Sequence, residues 1–110
     1  GKERTYGPEL ASQQRVDKEL RKLAELLADE MKQKQKHGKT LVLKVRYRDF
    51  TTFTKRKTLD HYINNSVGNY LAVAQDLLTE MPDISEGIRL LGITVTNLNN
   101  LGYENISLDL

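Results

Sequence analysis

Leu41–Leu59, LVLKVRYRDFTTFTKRKTL, is the stretch on which the reading of the whole chain turns. Its first half alternates, with Leu41, Leu43, Val45 and Tyr47 at one parity and Lys44, Arg46 and Arg48 at the other. Successive side chains of a strand point to opposite faces, so this is a strand with one apolar and one cationic face. A bend around Asp49 and Phe50 is expected to return the chain as a second strand over Thr51–Leu59, rich in threonine and again basic. Six cations, Lys44, Arg46, Arg48, Lys55, Arg56 and Lys57, stand against Asp49, a local charge of +5 in a chain of net +2. Everything outside the hairpin therefore sums to −3 (+2 less +5). Positive charge concentrated where a sheet can display it is what a polyanion-binding surface needs.

Working outward, 110 residues with 38% apolar content suffice for one modest core and not for two. No run approaches the length of a membrane span, and GKERTYGPEL lacks the apolar segment of a secretory signal, so a soluble cytoplasmic protein is expected. The absence of cysteine excludes disulfides and thiolate chemistry. His37 and His61 have no metal-ligand spacing and read as solvated or locally bonded.

Upstream of the hairpin, Lys2–Tyr6 is a polar candidate strand closed by the turn signal Gly7-Pro8. From Ser12 onward, Val16, Leu20, Leu23, Leu27 and Met31 recur at three and four, the pattern of an amphipathic helix. Ser12 reads as its N-cap, Lys32, Lys34 and Lys36 complement the dipole of its last turns, and Gly38 reads as its C′ stop. Downstream, Val67, Tyr70, Leu71, Ala74, Leu77, Leu78 and Met81 share the face of a second helix, capped by Asn64, Asn65 or Ser66 and ended by Pro82. A last strand, Ile88–Leu98, carries Leu91, Ile93 and Val95 at one parity and Gly92, Thr94 and Thr96 at the other.

The order is β-α-β-β-α-β, an α+β fold of two layers. Strands paired on both sides tend to be apolar, whereas edges are protected by charged and polar residues. The apolar strands are the second and fourth, which favours the sheet order 1-4-2-3 over 4-1-3-2, with both helices on the apolar face. The third strand does not sort by parity: pointing Phe53 and Leu59 inward sends Lys55 and Lys57 the same way, so a bulge or an early end of pairing near Thr54 is expected.

The fifteen carboxylates form no acid/base pair and no metal cluster, and there is no glycine-rich phosphate loop or nucleophile elbow. What remains is the cationic face. Edge protection and solubility would account for some of it. An excess of five charges on one hairpin of an otherwise acidic chain favours nucleic acid, with threonine hydroxyls suited to phosphate oxygens. Tyr47, and with it Phe53, has core parity, which argues against base stacking on this face. A non-enzymatic adaptor docking acidic protein partners through the same basic hairpin is the alternative.

GKERTY, the amphipathic helix, KVRYRDFTTFTKRKT over Lys44–Thr58 and the Gly87–Leu98 strand together resemble the little finger domain of Y-family translesion DNA polymerases, most closely the bacterial DNA polymerase IV type. The resemblance covers nearly the whole chain. It implies a four-stranded sheet backed by two helices that lies in the major groove of primer-template duplex DNA and contacts mainly phosphates. It also implies that the parent's catalytic carboxylates and magnesium ions belong to a palm domain before Gly1, so that this chain alone holds no cofactor and incorporates no nucleotide. Position by position, Gly1, Lys2 and Thr5 match backbone contacts on the strand after the interdomain tether, Thr54 and Lys55 a hydroxyl and basic pair on the third strand, and Arg89 an arginine opening the last. Leu90 and Thr94 depart from arginines of some archaeal relatives, which leaves the fourth strand less charged. Lys44, Arg46 and Arg56 are added to this DNA-binding set from parity and charge.

The domain is thus expected over residues 1–100, followed by a tail over 101–110, LGYENISLDL counted from Leu101. Alternation of Ile106, Leu108 and Leu110 with Ser107 and Asp109 suits an extended peptide entering a partner's pocket, or else a frayed terminus. The resemblance implies the former, because the family's chains commonly end in a peptide like Gln-Leu-x-Leu-x-Leu that binds the replicative sliding clamp. Asn105, Ile106, Leu108 and Leu110 match it, with Asn for Gln and Ile for Leu.

Overall fold

The computed structural model describes residues 1–101. Helix α1, Gln13–Lys34, buries Val16, Leu20, Leu23, Ala24, Leu27, Ala28 and Met31 along one stripe. The Ser12 hydroxyl accepts from the Arg15 amide at 3.3 Å, an N-cap worth about 1 kcal/mol. The helix ends at Gln35 in the left-handed region, φ 53°, and the next residue already belongs to a strand. Gly38 is therefore not the helix stop that its position suggested. It lies in strand β2, Lys36–Tyr47, opposite Leu98.

Strand β1, Lys2–Leu10, does not close at Gly7-Pro8 but runs through it, with its register against β4 shifting between Thr5 and Leu10. The shift restores pairing beyond the irregularity and drops Leu10 into the core at 1% exposure. Strand β3, Thr52–Thr58, pairs with β2 without interruption from Arg46↔Thr52 to Thr40↔Thr58, so the bulge expected near Thr54 is absent. Lys55 and Lys57 need no bulge because the helix side of this edge strand stays open to solvent at both. Lys55 is exposed, and Lys57 reaches Asp76 of helix α2, Val67–Leu78, at 2.7 Å. A short 3₁₀ turn, Ile84–Glu86, precedes strand β4, Ile88–Asn100.

The four strands form one antiparallel sheet in the order β1-β4-β2-β3, with both helices packed on the face that carries Leu41, Leu43, Val45, Tyr47, Leu91, Ile93 and Val95. Tyr47 and Tyr70 are buried hydroxyls with partners: Tyr47 donates to the Pro82 carbonyl at 2.7 Å, and Tyr70 donates to Asn65. Burial pushes both phenols up to about 12, because the phenolate would lose its water. Ser66 caps α2, accepting from the Asn69 amide, and the helix stops at Thr79, before Pro82 is reached.

The connection from Leu59 to Asn65 is bound across the start of β2. The Leu59 and Ile63 amides donate to the carbonyls of Lys39 and Gly38, both at 2.8 Å, and Asn65 Nδ2 donates to the Lys36 carbonyl. This lays Tyr62 on His37, with ring centroids 3.9 Å apart and planes 2° from parallel. His37 is 9% exposed, so it is not the solvated or locally bonded residue the sequence suggested. His61 is exposed and hydrogen-bonded to Asp60 at 2.8 Å, as expected. Among the described residues no helix is long and apolar enough to cross a membrane.

Candidate nucleic-acid interface

The register determines which hairpin cations share a face. Lys44 pairs with Thr54, Arg46 with Thr52 and Val42 with Arg56, so these six side chains lie together on the side of the sheet away from the helices. Across β4, Leu90, Gly92 and Thr94 stand opposite Arg46, Lys44 and Val42, and β1 adds Glu3 and Thr5 opposite Gly92 and Leu90. The other parity faces the helices. Lys2 and Arg4 reach Glu30 and Glu19 of α1, at 3.6 and 3.8 Å, and Lys57 reaches α2.

The hairpin's positive charge is thus divided between two faces. Lys44, Arg46 and Arg56 stand on the open face against the carboxylate of Glu3. Lys44 Nζ lies 3.5 Å from Glu3 Oε1, and Arg46 Nε donates to the Thr52 hydroxyl at 2.9 Å. Arg56 is exposed and has no ion pair among the described residues. Thr40 and Thr58 exchange a hydrogen bond at 2.8 Å on the same face. Of the positions taken as DNA contacts, Gly1, Thr5, Lys44, Arg46, Thr54 and Arg56 are brought together here. Gly1 fits closely over Thr94: a Cβ would lie 3.1 Å from the Ile93 carbonyl and closer still to the Thr94 hydroxyl. Lys2 and Lys55 have the opposite parity.

Arg89 lies elsewhere. Tyr47 pairs with Ile88 and Arg46 with Leu90, so Arg89 is the extra residue of a bulge at the start of β4. Its guanidinium stands over the Phe50 ring, 4.4 Å from the centroid, and 4.0 Å from Glu9. Glu9 also accepts from Arg48 Nε at 3.2 Å. Its own backbone amide first, then the Arg48 and Arg89 guanidiniums, hold the Glu9 carboxyl below the usual range.

Phe50 is the residue that the sequence reading passed over. It occupies the tip of the β2–β3 hairpin at φ 68°, a conformation that costs a bulky side chain about 1 kcal/mol or more. It is held there by Phe50 N to Tyr47 O and Tyr47 N to Thr51 O, both 2.9 Å, with the Thr51 amide donating to Asp49 at 2.9 Å. Treating Asp49 and Phe50 only as a bend hid the fact that an aromatic at a hairpin tip has nowhere to be buried.

Among the described residues no group of three or more His, Asp or Glu side chains is arranged to hold a metal ion. The magnesium implied for a parent polymerase has no fitting donor set in them.

The sheet has one helix-covered face and one open cationic face, the architecture of a small accessory domain, and its family is established by comparison. The chain belongs to the impB/mucB/samB family C-terminal domain, whose model matches residues 1–108. This is the little finger domain of Y-family translesion polymerases of the DNA polymerase IV type. DNA polymerase IV of Listeria monocytogenes serotype 4a is 43% identical over 109 residues, covering 99% of this chain and 30% of the relative. That of Streptococcus suis is 47% identical over 97 residues, covering 88% of this chain and 27% of the relative. The chain therefore spans about 30% of the length of its curated relatives. In fold it matches the little finger domain of PolIV solved with the beta-clamp processivity factor, at TM-score 0.70 and 20% identity over 99% of this chain and 96% of that one. It also matches a post-insertion binary complex of Dbh DNA polymerase, at TM-score 0.71 and 21% identity over 86% of this chain and 27% of that one.

Proposed function

We propose that the open face binds the sugar-phosphate backbone of primer-template duplex DNA for a lesion-bypass polymerase, whose catalytic residues and magnesium lie outside this chain. The observation that carries this reading is the register that gathers Lys44, Arg46 and Arg56 with the hydroxyls of Thr52, Thr54 and Thr94 on the face no helix covers. Ammonium and guanidinium groups among hydroxyls suit phosphate oxygens and carry no base code, so binding is indifferent to sequence. Fluorescence anisotropy with duplexes of unrelated sequence tests this, with Kd of about 1–100 µM at physiological salt, the range of non-specific binding. No binding to any duplex in that range, alongside capture of acidic peptides, would favour an adaptor instead.

Glu3 sets the charge of this surface. Its carboxylate engages Lys44 at 3.5 Å and would face the phosphates directly. Glu3→Gln is expected to tighten duplex binding severalfold and to steepen the slope of log K against log salt by up to about 0.9, one freed phosphate contact. An unchanged slope would remove Lys44 from the interface.

We propose further that Asn105, Ile106, Leu108 and Leu110 bind a replicative sliding clamp. These residues lie outside the described ones, and the support is the alternating apolar sequence together with the resemblance to the family's clamp-binding peptide. Titration of the intact chain against the clamp, compared with a Leu108→Ala, Leu110→Ala double variant, is expected to show a loss of ten-fold or more, about 1.4 kcal/mol. Equal affinities would reduce the tail to a bystander.

A further inference from the structure

We infer that the tip of the β2–β3 hairpin is a stacking site for one unpaired nucleobase, so that this domain prefers a duplex carrying a single-stranded overhang to a blunt one. The inference rests on the DNA-binding reading, which gives only backbone contacts on the duplex, and adds one base contact on the unpaired strand.

Three observations converge on Phe50. It is 66% exposed, whereas Tyr6, Tyr47, Phe53, Tyr62 and Tyr70 are buried or half-buried, so it is the exposed aromatic among the described residues. An apolar ring left in water on a left-handed backbone is unfavourable on two separate counts, and glycine or asparagine would remove both. The tip is nevertheless rigid, closed by the hydrogen bonds from the Phe50, Tyr47 and Thr51 amides, so the ring is presented without further ordering on binding.

The surroundings select the class of partner. Arg89 holds its guanidinium over the ring at 4.4 Å, Arg48 is 70% exposed beside it, and Arg46 begins the open face one register step away. Glu9 is paired with Arg48 and Arg89, and Asp49 accepts from the Thr51 amide and stays ionised, so the tip itself is balanced and the excess positive charge lies on the adjoining open face. An aromatic platform continuous with cations takes a flat ring attached to an anionic chain, which is a nucleotide of single-stranded DNA. An apolar protein pocket would receive the ring but would not require the cations.

The test uses the 110-residue chain and three DNAs: a blunt duplex, the same duplex with a 5′ thymine overhang, and the same overhang built from abasic residues. The native chain is expected to bind the thymine overhang about five-fold or more tighter than either of the others, the lower end for one stacked base. Phe50→Ala should bind all three alike, with blunt-duplex affinity unchanged, and Phe50→Tyr should restore the preference. If Phe50→Ala is not folded by circular dichroism, Phe50→Asn, which tolerates the left-handed conformation, replaces it. Equal binding of thymine and abasic overhangs by the native chain, or a preference that survives loss of the ring, overturns the inference while blunt-duplex binding upholds the open-face reading. Binding of the overhang without binding of the blunt duplex would do the reverse, and no binding to any of the three would overturn both.

Discussion

Gly38→Val is expected to destabilise the domain by about 3 kcal/mol or more, the upper range for forcing volume into a packed site. A Cβ at Gly38 would fall within the contact distance of the Thr96 carbonyl oxygen and a Val95 methyl, and would lie 3.0 Å from Leu98 Cδ2. The first is backbone of the neighbouring strand and cannot turn away. The Gly38 carbonyl also accepts the Ile63 amide, so displacing β2 here disturbs the segment that places Tyr62 on His37. Thermal unfolding should show a midpoint lowered by about 12 °C or more for a domain of this size. Gly68→Ala is the control. Nothing lies within 4 Å of its Cβ, and it sits in the first turn of α2, so a change between zero and about 1 kcal/mol of stabilisation is expected. A Gly38→Val protein as stable as the native one would mean that β2 and β4 do not approach each other as described.

The second large effect is electrostatic. Replacing Lys44, Arg46 and Arg56 together by alanine removes three cations from the open face. Arg46 and Arg56 each contribute about 0.9 to the salt slope and Lys44 only what its pairing with Glu3 leaves free, so the triple variant should lose between about 1.8 and about 2.7 and bind about 60- to 500-fold more weakly at 0.1 M salt, referred to 1 M. The loss should be the same for every duplex sequence. Lys55→Ala separates the face from the edge, because Lys55 has the parity of the helix side of β3 although the family resemblance nominates it. A slope unchanged in the triple variant but reduced in Lys55→Ala would move the DNA from the open face to the β3 edge. Thermal midpoints should remain near native, since charges on a solvent-facing sheet surface, half-buried for Lys44 and Arg46 and exposed for Arg56, contribute little to the fold.

How far the sequence could be read depended on whether a residue's surroundings were local. The amphipathic spacing of Val16 to Met31, the Ser12 and Ser66 caps and the parity of Leu41, Leu43, Val45 and Tyr47 were legible because helix and strand periods are properties of the chain. The order β1-β4-β2-β3 was legible too, since apolar strands must be central whatever packs on them. Parity likewise placed Lys44 and Arg46 on one face of β2.

Other features required the partner strand or segment to be known. Gly38 carries an ordinary helix-stop signal, and only the position of β4 shows that it is needed for close approach within a strand. Lys55 and Lys57 need no bulge, because the helix side of the edge strand β3 leaves both exposed and brings Lys57 to Asp76 of α2, which only the position of that helix shows. The bulge in β4 takes Arg89 out of strict alternation and brings it to Phe50, a contact across 39 residues of sequence. By itself the sequence determined the elements, their caps, the apolar face and the sign of the open one, because these follow from the conformational and solvation preferences of neighbouring residues. Only the tertiary structure decided which cations share a face, which glycine is sterically required and which aromatic remains exposed, because each depends on distances between segments remote in the chain.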